Sequence, residues 1–242
     1  MGSRRLGATV GPQPGLSAPV VSRRASADDC APLRMKDTII VFARAPRLGA
    51  VKRRLAHEVG DRNALRFHTT TLIRLLIDLR ADRRFCTLLA VTPDRARFRL
   101  PVRIPRIDQG GGNLGRRMHR LFARFTRSRT AIIGCDIPDA TAVDVRTGFR
   151  SLGTAQAVFG PARDGGYWLI GLAPPHPARP FANVRWSTEH ALADTLANFR
   201  ARRVAFLRTL QDVDTAADLR CIHKGNARAR SLGSHVSRNR SR

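Results

Sequence analysis

The chain has 242 residues, 43% of them hydrophobic, and a formal net charge of +26. That is enough apolar material for one sizeable core, which excludes wholesale disorder, and no run approaches the roughly 18 apolar residues of a membrane helix. Four scattered cysteines without a CxxC or Cys/His cluster exclude a disulfide scaffold and a zinc finger, and they fit a reducing cytoplasm.

The charge invites a nucleic-acid reading, but two observations weaken it. Among 44 basic residues only Lys36, Lys52 and Lys224 are lysine, a ratio that a GC-rich coding sequence explains without any function. Residues 1–34 carry five Arg and two Asp, and residues 224–242 carry six Lys and Arg and no acid, so part of the excess sits at the ends. A basic stripe interleaved with aromatics is missing, and the chain has a single Tyr to stack on bases. Specific nucleic-acid binding is therefore not expected.

In chain order, residues 1–34 are rich in Gly, Pro, Ser, Ala and Arg and hold no sustained period. They read as a mis-assigned start with Met35 the initiator, or as a disordered extension. Arg4-Arg5 resembles a twin-arginine signal, but no apolar region follows it. Residues 35–222 form one predicted domain, and 223–242 a basic disordered tail. Thr38 to Ala43 is the first predicted strand. A helix follows through Val51–Val59, and a longer one through 61–80, with Leu65, Leu72, Leu75, Leu76 and Leu79 at helical spacing. Further strands are expected at 85–91, 101–107, 130–134, 155–159, 167–172 and 204–207. Helices are expected at 114–125, 141–152, 188–199 (capped by Ser187 or Thr188) and 215–221. This alternation predicts a three-layer α/β/α sandwich with a mostly parallel sheet, whose ligands sit beyond the carboxyl ends of the strands.

Four loops at those ends carry chemistry. Arg44 to Leu55 follows the first strand. Gly49 permits a tight turn there, and Arg44, Lys52, Arg53 and Arg54 supply cations suited to a diphosphate at a helix N-terminus. Gln109 to Met118 matches GxGxxG through Gly110, Gly112 and Gly115. It comes too late in the chain for a dinucleotide fingerprint, so it reads as a nucleotide- or sugar-facing loop or a plain turn. Ile132 to Asp139 runs a strand into Asp136 and Asp139, good oxygen ligands for Mg²⁺ or Mn²⁺, with helix capping an equal alternative for Asp139. Gly160 to Gly171 holds Asp164 before Gly165 and Gly166, whose backbone can approach a ligand closely. An Asp-Gly hairpin turn is the plainer reading of Asp164. Two smaller pieces are Trp186-Ser187-Thr188 and Asp212 to Leu219. In the second, Asp214 is either a metal ligand or a helix cap.

In this order the six stretches strongly resemble a family of bacterial proteins of the glycosyltransferase-A (GT-A) fold. The family is known as DUF2064, as selenodomain-associated transferases, or as arsenosugar-biosynthesis glycosyltransferases. The resemblance runs over about 37–220, and its specificity lies in the ordered set. This chain departs from the family pattern at Arg44, Arg53, Cys135 and Ile137. It also has Asn113 where the family has Asp in the glycine-rich loop, which removes one carboxylate.

The resemblance implies a metal-dependent transferase using a nucleotide-diphosphate sugar and a small acceptor, and the cysteine usage implies a cytoplasmic location. It implies catalytic Asp136 and Asp164. Arg44, Gly49, Lys52, Arg54, Gly112 and Gly115 would meet the nucleotide and its phosphates, and Gly165, Gly166 and Trp186 the substrate. Asp136, Asp139 and Asp214 would bind the divalent metal, Mg²⁺ or Mn²⁺. The same fold hosts nucleotidyltransferases that act on a sugar phosphate and a nucleoside triphosphate, which is the alternative reading. A catalytically degenerate basic scaffold is the third.

Overall fold

The computed structural model describes residues 36–221. The expectations for 1–34 and 223–242 lie outside the described residues. The described chain runs β1 (Asp37–Arg44), α1 (Arg53–Val59), α2 (Asp61–Ala81), β2 (Phe85–Thr92), β3 (Arg106–Asp108), α3 (Leu114–Phe122), β4 (Thr130–Gly134), α4 (Ala142–Ser151), β5 (Ala157–Pro161), β6 (Tyr167–Leu172), α5 (Ala191–Ala197) and β7 (Val204–Phe206).

The seven strands form one sheet in the order β3-β2-β1-β4-β6-β5-β7. Only β6 opposes its neighbours, pairing antiparallel with both β4 and β5; every other pair is parallel. The order reverses at β1 and β4, which leave the sheet side by side toward the same edge. A doubly wound sheet opens its ligand crevice at such a point. Because β6 is inverted, the β5–β6 connection returns to that same edge.

Strand alternation divides the core into two layers. Ile39, Val41 and Ala43 of β1 point to one face with Leu89, Val91 and Ile133. There they meet Leu72, Leu75, Leu76 and Leu79 of α2 and Val145 and Phe149 of α4. Ile40, Leu88, Ala90, Ile132 and Phe159 point to the other face, against Met118, Leu121 and Phe122 of α3. The leucine stripe expected along 61–80 is thus real from Leu72 to Leu79, with Leu65 only half-buried, and each fully buried leucine contributes about 2 kcal/mol. A third, smaller cluster joins Leu55 of α1, Ala64 of α2, Val213 and Ala216 beneath the crevice.

Most expected elements fall within three residues of the observed ones, and one strand differs more. The 101–107 strand shrinks to Arg106–Asp108, because the prolines before it leave the ladder without donors. The 188–199 helix begins only at Ala191, with His190 at its N-cap and no side-chain cap bond. Ser187 has φ +64, and the Thr188 hydroxyl donates to the Arg185 carbonyl, so this segment is a turn that precedes the helix.

Candidate functional site

At the carboxyl edge, a cleft of about 370 Å³ opens between the β1–α1 loop and the end of β4. It is lined by Arg44, Lys52, Arg53, His68, Gln109, Cys135 and Asp136, among others. Four of these, Arg44, Lys52, Arg53 and Asp136, are residues the sequence singled out.

The β1–α1 loop is folded back on itself. The Arg44 guanidinium donates to the Ala50 carbonyl at 3.2 Å, and Gly49 takes φ +71 in the turn between them. Lys52 closes the loop as the N-cap of α1, in a left-handed conformation with φ 48 and ψ 50. That backbone sends its side chain inward, where it is 5% exposed. Its ammonium lies 2.8 Å from Asp136 Oδ2 and 2.8 Å from Asp214 Oδ1. Burial alone would pull the Lys52 ammonium down, but the two carboxylates raise it to about 12. Burial would raise the Asp136 carboxyl, and the lysine beside it holds it below the usual range. The centre is therefore an ion-paired triad with the lysine cation between Asp136 and Asp214.

Both acids are free for this role because neighbours take the capping duties. Thr141 caps α4, accepting from the Asp144 N–H while the Asp144 carboxylate accepts from Thr141 N–H at 2.9 Å. Asp139 is thus not the cap. Its carbonyl accepts from Arg208 at 2.8 Å, and its charge acts on the Arg208 guanidinium. In the same way Asp218 accepts from the backbone of Asp214 and Thr215 at the start of the helical turn 216–221, which leaves the Asp214 carboxylate to Lys52. Asp136 and Asp214 converge. Asp139 does not join them in a three-ligand cluster: among the described residues no group of three or more His, Cys, Asp or Glu is placed to hold a metal.

Asp164 sits at the tip of the β5–β6 hairpin and accepts from Gly166 N–H at 2.8 Å, so the turn expected of an Asp-Gly pair is present. It is close enough to Asp212 to raise that carboxyl. Burial first, then Asp164 and Asp214, push Asp212 to about 6. Acidic charge thus gathers on one side of the Lys52 bridge.

The glycine-rich loop takes another part. Arg120 donates to the carbonyls of Gln109 and Gly111, and Arg117 donates to that of Gly112, so α3 bolts the loop down. Asn113 is the N-cap of α3, accepting from Arg116 N–H at 2.9 Å. Asn and Asp cap equally well, so the departure from the family Asp leaves this role intact. Gly115 lies under the Trp186 ring: a Cβ there would stand 2.7 Å from Trp186 Cζ2. These two residues meet each other, and neither Gly112, Gly115 nor Trp186 lines the cleft. Arg54 is 82% exposed and 3.9 Å from Asp214 Oδ2.

Three cleft residues escaped the sequence reading. His68 is buried on α2 with Nε2 3.0 Å from the Arg44 carbonyl. A carbonyl only accepts, so that nitrogen carries the hydrogen. Gln109 donates from its amide to the carbonyls of Ala43 and Ala90, stapling the ends of β1 and β2. Cys135 is buried beside Asp136, where burial pushes its thiol up and keeps it protonated. Gln109 and Cys135 lie inside the glycine-rich and strand-end stretches without having been assigned to the site, whereas His68 belongs to no motif and only the fold brings it to the cleft.

Residues 71–188 match the family model described as an uncharacterized protein conserved in bacteria, DUF2064. The segment holds Asp136, Asp139, Asp164 and the glycine-rich loop, while Lys52 and Asp214 lie outside it. A solved structure from Desulfovibrio desulfuricans G20, provisionally named a nucleotide-diphospho-sugar transferase, is 27% identical with a TM-score of 0.75. The match covers 79% of this chain and 88% of that one. The matched segment and its flanks therefore share the α/β fold of that protein. Weaker likenesses include a CMP:2-keto-3-deoxy-manno-octonic acid synthetase complexed with CTP (11% identity, TM-score 0.49, covering 80% of this chain and 99% of that one). Another is 4-diphosphocytidyl-2C-methyl-D-erythritol synthase from Anaerococcus prevotii DSM 20548 (11% identity, TM-score 0.48, covering 76% and 95%). No curated protein matches the chain.

Proposed function

We propose that this protein is a transferase that moves a glycosyl group from a nucleotide-diphosphate sugar to a small acceptor. The observation that carries the reading is the Asp136–Lys52–Asp214 bridge beside a cationic cleft, at the carboxyl edge where β1 and β4 part. The 27% identity to the Desulfovibrio protein, provisionally named for such a donor, supports it.

Arg44, Lys52 and Arg53 bind the diphosphate in the cleft. Asp136 and Asp214 are hard oxygen donors, about 40% exposed, and they suit two positions of a Mg²⁺ or Mn²⁺ site that leaves the rest to phosphate and water. A divalent ion bound there supplies neutralisation of the leaving diphosphate. Asp164 orients the sugar or accepts the acceptor's proton. In the transfer, the bond from the anomeric carbon to the diphosphate oxygen breaks and its electron pair leaves with the nucleotide. A bond from the acceptor oxygen to the anomeric carbon forms, and the acceptor proton passes to a carboxylate.

The test is calorimetric titration with nucleotide-sugars and nucleoside triphosphates, in Mn²⁺, Mg²⁺ or chelator, beside Asp136→Ala. Metal-dependent binding of one nucleotide-sugar, lost in the variant, is the expected result. Preference for a triphosphate with pyrophosphate release would shift the assignment to nucleotidyl transfer. Binding of neither, with steeply salt-dependent binding of nucleic acid, would leave a basic scaffold.

A further inference from the structure

Lys52 already stands where a bound cation would stand. Its ammonium is 2.8 Å from one oxygen of Asp136 and 2.8 Å from one of Asp214. The lysine side chain is 5% exposed, whereas its partners are 40% and 43% exposed, so the carboxylates face the opening and the lysine plugs the pair from behind.

The acids do not need the lysine to meet. Val213 N–H donates to the Asp136 carbonyl at 3.3 Å, and Val213 is anchored in the cluster with Leu55 and Ala64. Lys52, by contrast, is held in a left-handed conformation that residues with a Cβ seldom adopt, and no side chain caps the helix it begins. Charge is also unbalanced. Two carboxylates share one buried ammonium, and the guanidinium of Arg54 is 82% exposed and 3.9 Å from Asp214.

We infer that Lys52 is an internal counter-cation that a divalent ion at Asp136 and Asp214 displaces, turning the released ammonium toward the phosphates of the nucleotide. The inference rests on the proposed function for the identity of ion and nucleotide. An ammonium and a divalent ion repel and compete for the same oxygens. Exchange leaves the two carboxylates neutralised and moves one positive charge to the anion-binding side of the cleft. By linkage, whatever draws Lys52 away tightens the metal site by the same factor.

The chain's three lysines make the test direct. Amine acetylation of the full-length protein, read by mass spectrometry, follows Lys52 with exposed Lys36 as internal reference. Lys52 should react at least about tenfold more slowly than Lys36 in chelator, and several-fold faster at saturating Mg²⁺. Calorimetric titration of Mn²⁺ into the wild type and Lys52→Met should show affinity about tenfold tighter in the variant. Unchanged Lys52 labelling at saturating Mg²⁺ overturns the inference, as does equal or weaker Mn²⁺ affinity in a folded variant. If the variant does not fold, the labelling of the wild type decides alone. Absence of metal binding in both proteins overturns it as well. Metal-driven exposure of Lys52 without binding of any nucleotide-sugar would keep the exchange and reject the donor. Binding of a nucleotide-sugar in chelator, with Lys52 still protected, would do the reverse.

Discussion

Val213 donates its backbone N–H to the carbonyl of Asp136 at 3.3 Å. This main-chain bond joins the end of β4 to the C-terminal segment and brings the two acids of the bridge together without the help of either side chain. Asp214→Ala should therefore keep the fold, with a stability change within about 1 kcal/mol for a half-exposed partner. It should nevertheless abolish metal-dependent binding of a nucleotide-sugar. Urea denaturation and calorimetry check the two halves; an unfolded variant would show that the acid is a structural brace.

Gly115 is occupied territory. A Cβ would stand 2.7 Å from Trp186 Cζ2 and 3.0 Å from Phe181 Cβ. Gly115→Ala should cost about 1–3 kcal/mol through overpacking. The shift of Trp186 should also change the tryptophan fluorescence. A stable variant with unaltered emission would mean that the ring moves aside freely.

Asn113→Asp should leave stability within a few tenths of a kcal/mol, because both residues accept from the N–H of the third helical residue. Asn113→Ala should cost about 1 kcal/mol by losing that cap. If the Asp variant instead gains or loses ligand affinity tenfold or more, the position faces the ligand as well as the helix.

Gln109 is 2% exposed and donates to two carbonyls, Ala43 at 3.2 Å and Ala90 at 2.9 Å. Gln109→Leu fills similar space but strands both acceptors, and should cost about 1–3 kcal/mol. Because these carbonyls end β1 and β2 at the cleft wall, the same substitution should weaken nucleotide-sugar binding. Unchanged affinity in a folded variant would separate the staple from the site.

His68 gives the pH dependence. Burial pulls its imidazole below the ordinary 6.5, against the opposing pull of the Arg44 carbonyl and the Asp136 carboxylate. A base with a lowered folded pKa takes its proton in the unfolded chain first. Its stabilising contribution is whole above 6.5 and is lost as pH falls below that value. The urea midpoint of the wild type should drop between pH 7.5 and pH 5.5 by more than that of His68→Gln. Equal drops would show that other groups carry the acid sensitivity.

The sequence revealed the layers more readily than the site. The Ile39–Ile40–Val41 alternation and the leucine stripe of α2 are local patterns, and local patterns survive in one dimension. The inversion of β6 leaves no such mark: Tyr167 to Leu172 is apolar whichever way it runs, because both faces of the strand are covered. Asp136 and Asp214 are visible as acids at strand or helix ends and Lys52 as a cation for phosphate, but the place of Lys52 between the two acids is not. Lys52 reads from sequence as an exposed cation in a basic loop, and only its left-handed backbone turns it into the interior. His68 was hidden for the opposite reason, since a helical position on the buried face looks like core.

The tip of the β5–β6 hairpin is pinned from outside. Leu192 N–H donates to the Gly165 carbonyl at 3.0 Å, and a side chain at Gly165 would run into the backbone of Glu189. The acid at that tip is thus presented by a fixed jaw, braced on the start of α5. On the function proposed above, such a jaw selects by dimension: a sugar held against Asp164 has to match a distance set by the Gly165–Leu192 bond. Broadening the range of donors then begins at Glu189 and α5, behind the jaw.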